Sequence, residues 1–191
     1  EPKDWTHANS LFLTDDESAY VISVRNQNLV GQFDRTTGEI QWVLGSNDPG
    51  SEEDDSWPWL AVNPEDRLPN QQHSASLTPE GTLMIYDNGN DVQTSYVAEY
   101  EVDTDAMTAS LIWLWTDESL GFTIHSRNGG NAEPVTGSRA LLTHSQLPKI
   151  PGDGSSPSYS MIQMVRKDGQ SAQKEWDLTV LPKDEERSVR V

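Results

Sequence analysis

The chain has 191 residues, 34% of them hydrophobic and seven of them Trp, which is enough for one domain with a sizeable core. Its 31 acidic against 13 basic residues give a formal net charge of −18, which repels nucleic acid and anionic membrane surfaces and excludes both as partners. With no cysteine there is no disulfide framework and no thiolate zinc site, and no run of about 18 apolar residues is present to span a bilayer.

The sequence starts at Glu1 without Met or a signal-peptide pattern, as a processed or excised piece of a longer protein would. From Asp16 a polar turn leads into an apolar strand ending at Val24, a second strand runs from Leu29 to Phe33, and a turn from Asp34 to Glu39 precedes a Trp-bearing strand from Ile40 to Gly45. An acidic, Trp- and Pro-rich insertion follows at 46–69; its Glu52 to Asp55 cluster fits no EF-hand spacing and reads as a solvated charge run rather than a calcium site. The same grammar then returns, with strands at Leu83 to Tyr86, Tyr96 to Val102 and Leu111 to Trp115. It returns again at Ala140 to Thr143, Ser160 to Val165 and Glu175 to Leu178, interrupted by a Pro/Gly/Ser loop from Pro148 to Pro157 and followed by a charged tail at 182–191.

Apolar alternation bounded by Gly, Asp and Pro turns predicts strands, and no window carries a convincing amphipathic helix. Matching strands stand 62 residues apart from Ile22 to Met84 and 57 apart from Met84 to Leu141. Four-stranded antiparallel units repeated in this way indicate an all-β fold built of β-propeller blades, at roughly 5–45, 70–116 and 120–180 within a unit covering 1–181. The Trp closing each copy is expected to pack between blades. Propellers close with about four to eight blades, so three blades, the first expected to lack an upstream strand, make an arc. The ring would be completed by the rest of a longer protein, by another chain or by oligomerisation. The acidic surface suits a periplasmic, extracellular or salty setting.

Four side chains near the start suit anion chemistry. His7 and Asn9 are two apart and on a strand would share a face. A short hairpin would return Arg25 beside them, and His73, expected just before the next blade's first strand, would approach the central channel. Taken alone, the two histidines read first as ordinary hydrogen-bonded residues bridging turns. His125, in Phe122 to Arg127, lies on a loop able to reach the channel mouth and is a candidate substrate contact; His144, ending an apolar strand, reads as structural.

The runs Trp5-Thr6-His7-Ala8-Asn9-Ser10 and Ser23-Val24-Arg25-Asn26-Gln27 resemble the "W-x-H-x-N-S … S-x-R-x-Q" pattern of bacterial-type arylsulfotransferases. Gln72-His73-Ser74-Ala75 is similar to that family's "Q-H-x-A", Thr37 to Gly45 to its "T-G-E-I-x-W-x-L-G", Tyr86-Asp87-Asn88-Gly89 to its "F-D-N-G", and Gly130 to Glu133 to its "G-N-A-Q". The "T-G-E-I-x-W" piece is common in propellers; the ordered set is specific.

The resemblance implies transfer of a sulfuryl group from an aryl sulfate donor to a phenolic acceptor, without a nucleotide donor or other cofactor and without a metal. His73 would be the nucleophile, forming a sulfohistidine in a ping-pong cycle. His7 would be the acid and base, with Arg25 and Asn9 as donors to the sulfuryl oxygens. The family also carries an active-site histidine upstream of "W-x-H-x-N-S", for which this sequence has no counterpart. Two rival functions remain: a non-catalytic propeller binding carbohydrate or protein, and a metal-dependent hydrolase using His7, His73 and His125, which lacks tight ligand spacing.

Overall fold

The structure is a computed structural model that describes residues 4–46, 56–147 and 159–180. The Glu52 to Asp55 cluster, the loop from Pro148 to Pro157 and the tail at 182–191 lie outside the described residues.

Three antiparallel sheets follow one another along the chain as consecutive propeller blades. The first holds β1 (Ala8–Leu13), β2 (Ala19–Val24), β3 (Leu29–Asp34) and β4 (Ile40–Gly45) in sequential order. The second is built from β6 (His73–Leu77), β7 (Leu83–Asp87), β8 (Tyr96–Asp103) and β9 (Thr108–Trp115), with a two-residue strand β5 (Ala61–Val62) added at its outer edge. The third holds β10 (Asn131–Val135), β11 (Arg139–Leu147), β12 (Tyr159–Asp168) and β13 (Ser171–Val180). Among the described residues, helix is limited to two three-residue 3-10 turns, Arg25–Gln27 and Glu118–Leu120.

Two features depart from the sequence-based expectation. The first blade is not short of a strand: β1 pairs with β2 from Ala8↔Val24 to Leu13↔Tyr20. Each blade in fact begins with an inner strand whose composition is too polar to show apolar alternation, and His73 opens β6 instead of preceding a first strand. Part of the insertion also becomes structure. Pro58 and Leu60 bond on either side of Val43 in β4, and Ala61 and Val62 then run parallel to Thr108 and Ala109 in β9, which joins the outer edges of two blades and makes the second sheet five-stranded.

Because successive strand residues face opposite ways, a middle blade must be apolar on both faces. β7 obeys this: Leu83 and Ile85 join Val21, Val30, Trp42 and Leu44 in a core between the first and second blades. Met84 and Tyr86 join Trp113, Ala140, Leu142 and Val165 between the second and third. Trp42 and Trp113 therefore fill the two interblade cores, and the indole N–H of Trp113 donates to the Ser171 carbonyl at 3.2 Å. Trp176, the third of the series, is 43% exposed on a face that no described blade covers.

Candidate functional site

The three inner strands β1, β6 and β10 lie side by side, and short polar side chains stitch them together. Ser10 Oγ accepts the Ala75 N–H at 2.9 Å, and Ser74 Oγ accepts the Ala132 N–H at 3.1 Å. Both inner strands carrying the motif residues are irregular at the same level. β1 has a bulge between Ala8 and Ser10, next to His7 at φ +48°, and β6 has one between His73 and Ala75, with Ser74 at φ +46°. Positive φ is uncommon outside glycine, and bulges re-aim side chains. Here they turn two imidazoles toward each other across the gap between blades, with ring centroids 6.0 Å apart and an interplanar angle of 73°.

His7 precedes β1, so it does not share a simple strand face with Asn9. It is held by Asp4, whose carboxylate accepts the His7 backbone N–H at 2.9 Å and the ring Nδ1 at 2.5 Å. These bonds keep the exposed Asp4 carboxyl below its usual value. With Nδ1 engaged, Nε2 is the free ring nitrogen of His7. Asn9 Nδ2 donates to the Gln72 carbonyl at 2.8 Å, which fixes the residue immediately before His73.

The β1–β2 hairpin does return Arg25. Its backbone N–H bonds to the His7 carbonyl at 3.2 Å, and the 3-10 turn it begins is closed by Asn28 in the left-handed region. Its guanidinium donates from Nη1 to Asn26 Oδ1 at 2.8 Å and from Nη2 to Gln71 Oε1 at 2.9 Å and Asn128 Oδ1 at 3.2 Å. The buried Nε has no protein acceptor.

His73 is fixed on both ring nitrogens. The Asn88 amide nitrogen donates to the carbonyls of Ser126 and Gly129, so the Asn88 oxygen is left to accept His73 Nδ1–H at 2.8 Å. That places the lone pair on Nε2, which accepts the Gly129 N–H at 3.1 Å. Burial pushes the His73 pKa down, the bond to Asn88 opposes this, and the charges of Arg25 and His7 add to the lowering. His73 is therefore neutral at pH 7, with one tautomer and its Nε2 lone pair turned to the Gly129 N–H.

Asp4, Asn88 and Gly129 were not singled out by sequence reasoning. The i, i+3 spacing of Asp4 and His7 and the "D-N-G" run were visible signals, but the Gly129 contact is made by backbone and carries no side-chain signature. Gly129 (φ +77°) and Gly130 (φ +113°) both occupy backbone that disfavours other residues, and a Cβ on Gly130 would run into the Tyr86 ring.

His125 stands one layer back. Its Nε2 bonds to Asn90 Oδ1 at 2.7 Å, and Asn90 Nδ2 donates to Gln71 Oε1 at 2.6 Å and to the Arg127 carbonyl at 3.2 Å. His144 is structural: it is 3% exposed, bonded to the Tyr86 hydroxyl at 2.7 Å and to Gln163 Oε1 at 2.9 Å. No group of three or more His, Asp or Glu side chains among the described residues is arranged to hold a metal ion.

Charge is distributed unevenly around this site. Among the described residues, Arg35, Arg67, Arg139, Arg166, Lys167 and Lys174 are each ion-paired with carboxylates. Arg25 and Arg127 are not, and both belong to the site's loops.

The family model for arylsulfotransferase (ASST) matches residues 1–185. No curated protein gives a significant match. Among solved structures, a Bacteroides fragilis protein described as a 6-phosphogluconolactonase is 15% identical, with a TM-score of 0.53 over 92% of this chain and 40% of its own length. The periplasmic gluconolactonase of Pseudomonas aeruginosa is 11% identical, with a TM-score of 0.39 over 92% of this chain and 58% of its own. At this identity the first likeness speaks to fold alone, and this chain spans less than two thirds of either structure's length.

Proposed function

The chain belongs to the arylsulfotransferase family, and from that premise we propose that the His7, Asn9, Arg25 and His73 cluster transfers a sulfuryl group from an aryl sulfate to a phenol by way of a sulfohistidine. The observation that carries this is His73 itself: a neutral imidazole with its Nδ1 proton spent on Asn88, a lone pair left on Nε2, and its ring centroid 6.0 Å from that of His7.

In the first half-reaction the His73 Nε2 lone pair attacks sulfur. The N–S bond forms as the S–O bond to the aryl group breaks, and protonated His7 delivers the Nε2 proton to the departing phenolate. In the second half, neutral His7 takes the proton of the incoming phenol, the phenol oxygen bonds to sulfur, and the N–S bond returns its electron pair to His73. Two displacements let donor and acceptor use one site in turn. Asp4, by accepting from Nδ1, holds His7 in the tautomer this shuttle needs.

Charge on the sulfuryl oxygens needs fixed donors. Arg25 supplies a guanidinium already oriented by Asn26, Gln71 and Asn128. Once Nε2 carries sulfur it cannot accept from Gly129, whose N–H is then available to a sulfuryl oxygen. Asn9 acts mainly as a positioning residue through Gln72, with its second amide hydrogen available to the substrate.

The test is a mass measurement. Mixing the protein with 4-nitrophenyl sulfate and quenching at alkaline pH should leave a sulfuryl group on the peptide containing His73. Release of 4-nitrophenol should depend on added phenol, survive chelator and disappear in His73→Ala. A label on another residue, or His73→Ala keeping near-normal transfer, sinks the covalent route; no label and no release in the wild type favours a binding module.

A further inference from the structure

The site holds more positive charge than one sulfuryl group requires. Arg25 and Arg127 are the two cations without a carboxylate partner among the described residues, in a chain of net charge −18 where acidic side chains are abundant. Both are on one bracket. Asn128 accepts from Arg25 Nη2 at 3.2 Å, and the Arg127 carbonyl accepts from Asn90 at 3.2 Å. The other Asn90 hydrogen goes to Gln71 Oε1, which Arg25 also contacts.

The bracket is rigid where Arg127 leaves it. Ser126, just before, is fully buried, with its N–H on Ser95 Oγ at 2.9 Å and its hydroxyl donating to the Ser145 carbonyl at 2.6 Å. The Arg127 backbone is thus fixed on both sides while its side chain is exposed. Its charge is felt by two neighbours. Burial first and Arg127 second lower Arg25, and the same two causes in the same order lower His125. Two guanidiniums held on one bracket repel each other, and an anion lying between or across them would relieve that cost.

We propose that Arg127 binds a second negative group, a carboxylate or a further sulfate, carried by the aromatic substrate, so that the preferred donors are dianionic aryl sulfates. This rests on Arg25 and His73 receiving the sulfuryl group. The sulfate being transferred meets Arg25, the ring spans the gap, and the distal anion meets Arg127 at the rim. His125 and Asn90 act as positioning residues, holding the loop from which Arg127 projects.

Calorimetric titration of the 191-residue chain with phenyl sulfate and with 3- and 4-carboxyphenyl sulfate tests this directly. At low ionic strength one carboxylated isomer should bind about twofold to fivefold tighter than phenyl sulfate, the size of an exposed charge pair, and the advantage should shrink with added salt. In Arg127→Gln the ratio of the two affinities should collapse to one, and Arg127→Lys should recover part of it. A ratio of one in the wild type, or an advantage that persists in Arg127→Gln, overturns the proposal. Phenyl sulfate binding that depends on Arg25 but ignores the carboxylate removes the Arg127 subsite and leaves the sulfuryl site standing; a chain that binds none of the three ligands loses both.

Discussion

His73 owes its protonation state and tautomer to neighbours: Asn88 takes the Nδ1 proton, and the Nε2 lone pair accepts the Gly129 N–H. Its pKa is depressed by burial, Arg25 and His7, so the proton that would block Nε2 binds only at a pH below the ordinary imidazole range. The His73 ring proton followed by NMR should therefore titrate with a midpoint below about 6.5. Arg25→Gln removes one of the depressing charges, and the midpoint should move up. An unchanged midpoint in that variant would mean that Arg25 does not act on His73. Arg25→Lys keeps the charge but not the planar fork, and should lower turnover about tenfold or more, because a preorganised donor contributes roughly 10²–10³ in rate. Near-normal turnover in Arg25→Lys would assign Arg25 a purely electrostatic part.

Away from the candidate site, the seam between the second and third blades has buried polar groups of its own. β11 delivers His144 to a chain of buried hydrogen bonds from Tyr86 through His144 and Gln163 to Asp117, which ties the second blade to the third. Burial pushes His144 down to about 4, with opposing help from Gln163 and Asp117. The sign follows from linkage: the unfolded chain takes up the proton near pH 6.5 and the folded one only near 4, so stability is lost as pH falls through that window. Wild-type protein should lose about 2 kcal/mol more than His144→Asn between pH 6.5 and 4.5, measured by urea unfolding. Equal losses in the two proteins would show that His144 is not buried neutral.

At the scale of the whole molecule, the two outer blade faces have no neighbouring blade among the described residues. On the first blade Leu11 is 65% and Leu13 37% exposed, while Phe12 between them packs against the interblade core. On the last blade Trp176 and Val180 are 43% and 46% exposed. A blade cannot bury both faces by itself, and exposed apolar patches of this kind drive association. The isolated chain should accordingly show a concentration-dependent mass above 21.3 kDa by light scattering, and Leu11→Lys with Leu13→Lys should return it to the monomer value. A constant mass of one chain at all concentrations would mean that water covers these faces well enough.

The class of fold was legible in the residues because it depends on local alternation. Leu83, Met84, Ile85 and Tyr86 read as a strand buried on both faces, and Trp42 and Trp113 read as interblade fillers; the structure places them so. The motif residues were likewise visible as chemistry. Their arrangement was not, because it rests on what period-2 patterns cannot encode. β1, β6 and β10 carry polar residues and escape the hydrophobic signal, bulges at Ala8 to Ser10 and His73 to Ala75 break the alternation that would aim His7 and His73, and Gly129 acts through its backbone. Arg25 Nη2 finds Gln71 and Asn128, 46 and 103 residues away, and the Arg127 carbonyl meets Asn90, 37 residues away, so the surroundings of these cations are a property of contacts distant in sequence. Sequence alone determined that this chain makes β blades and carries His7, Arg25 and His73 in motifs like those of its family; only tertiary packing, by closing β1 against β6, decided that the two imidazoles come within 6.0 Å of each other.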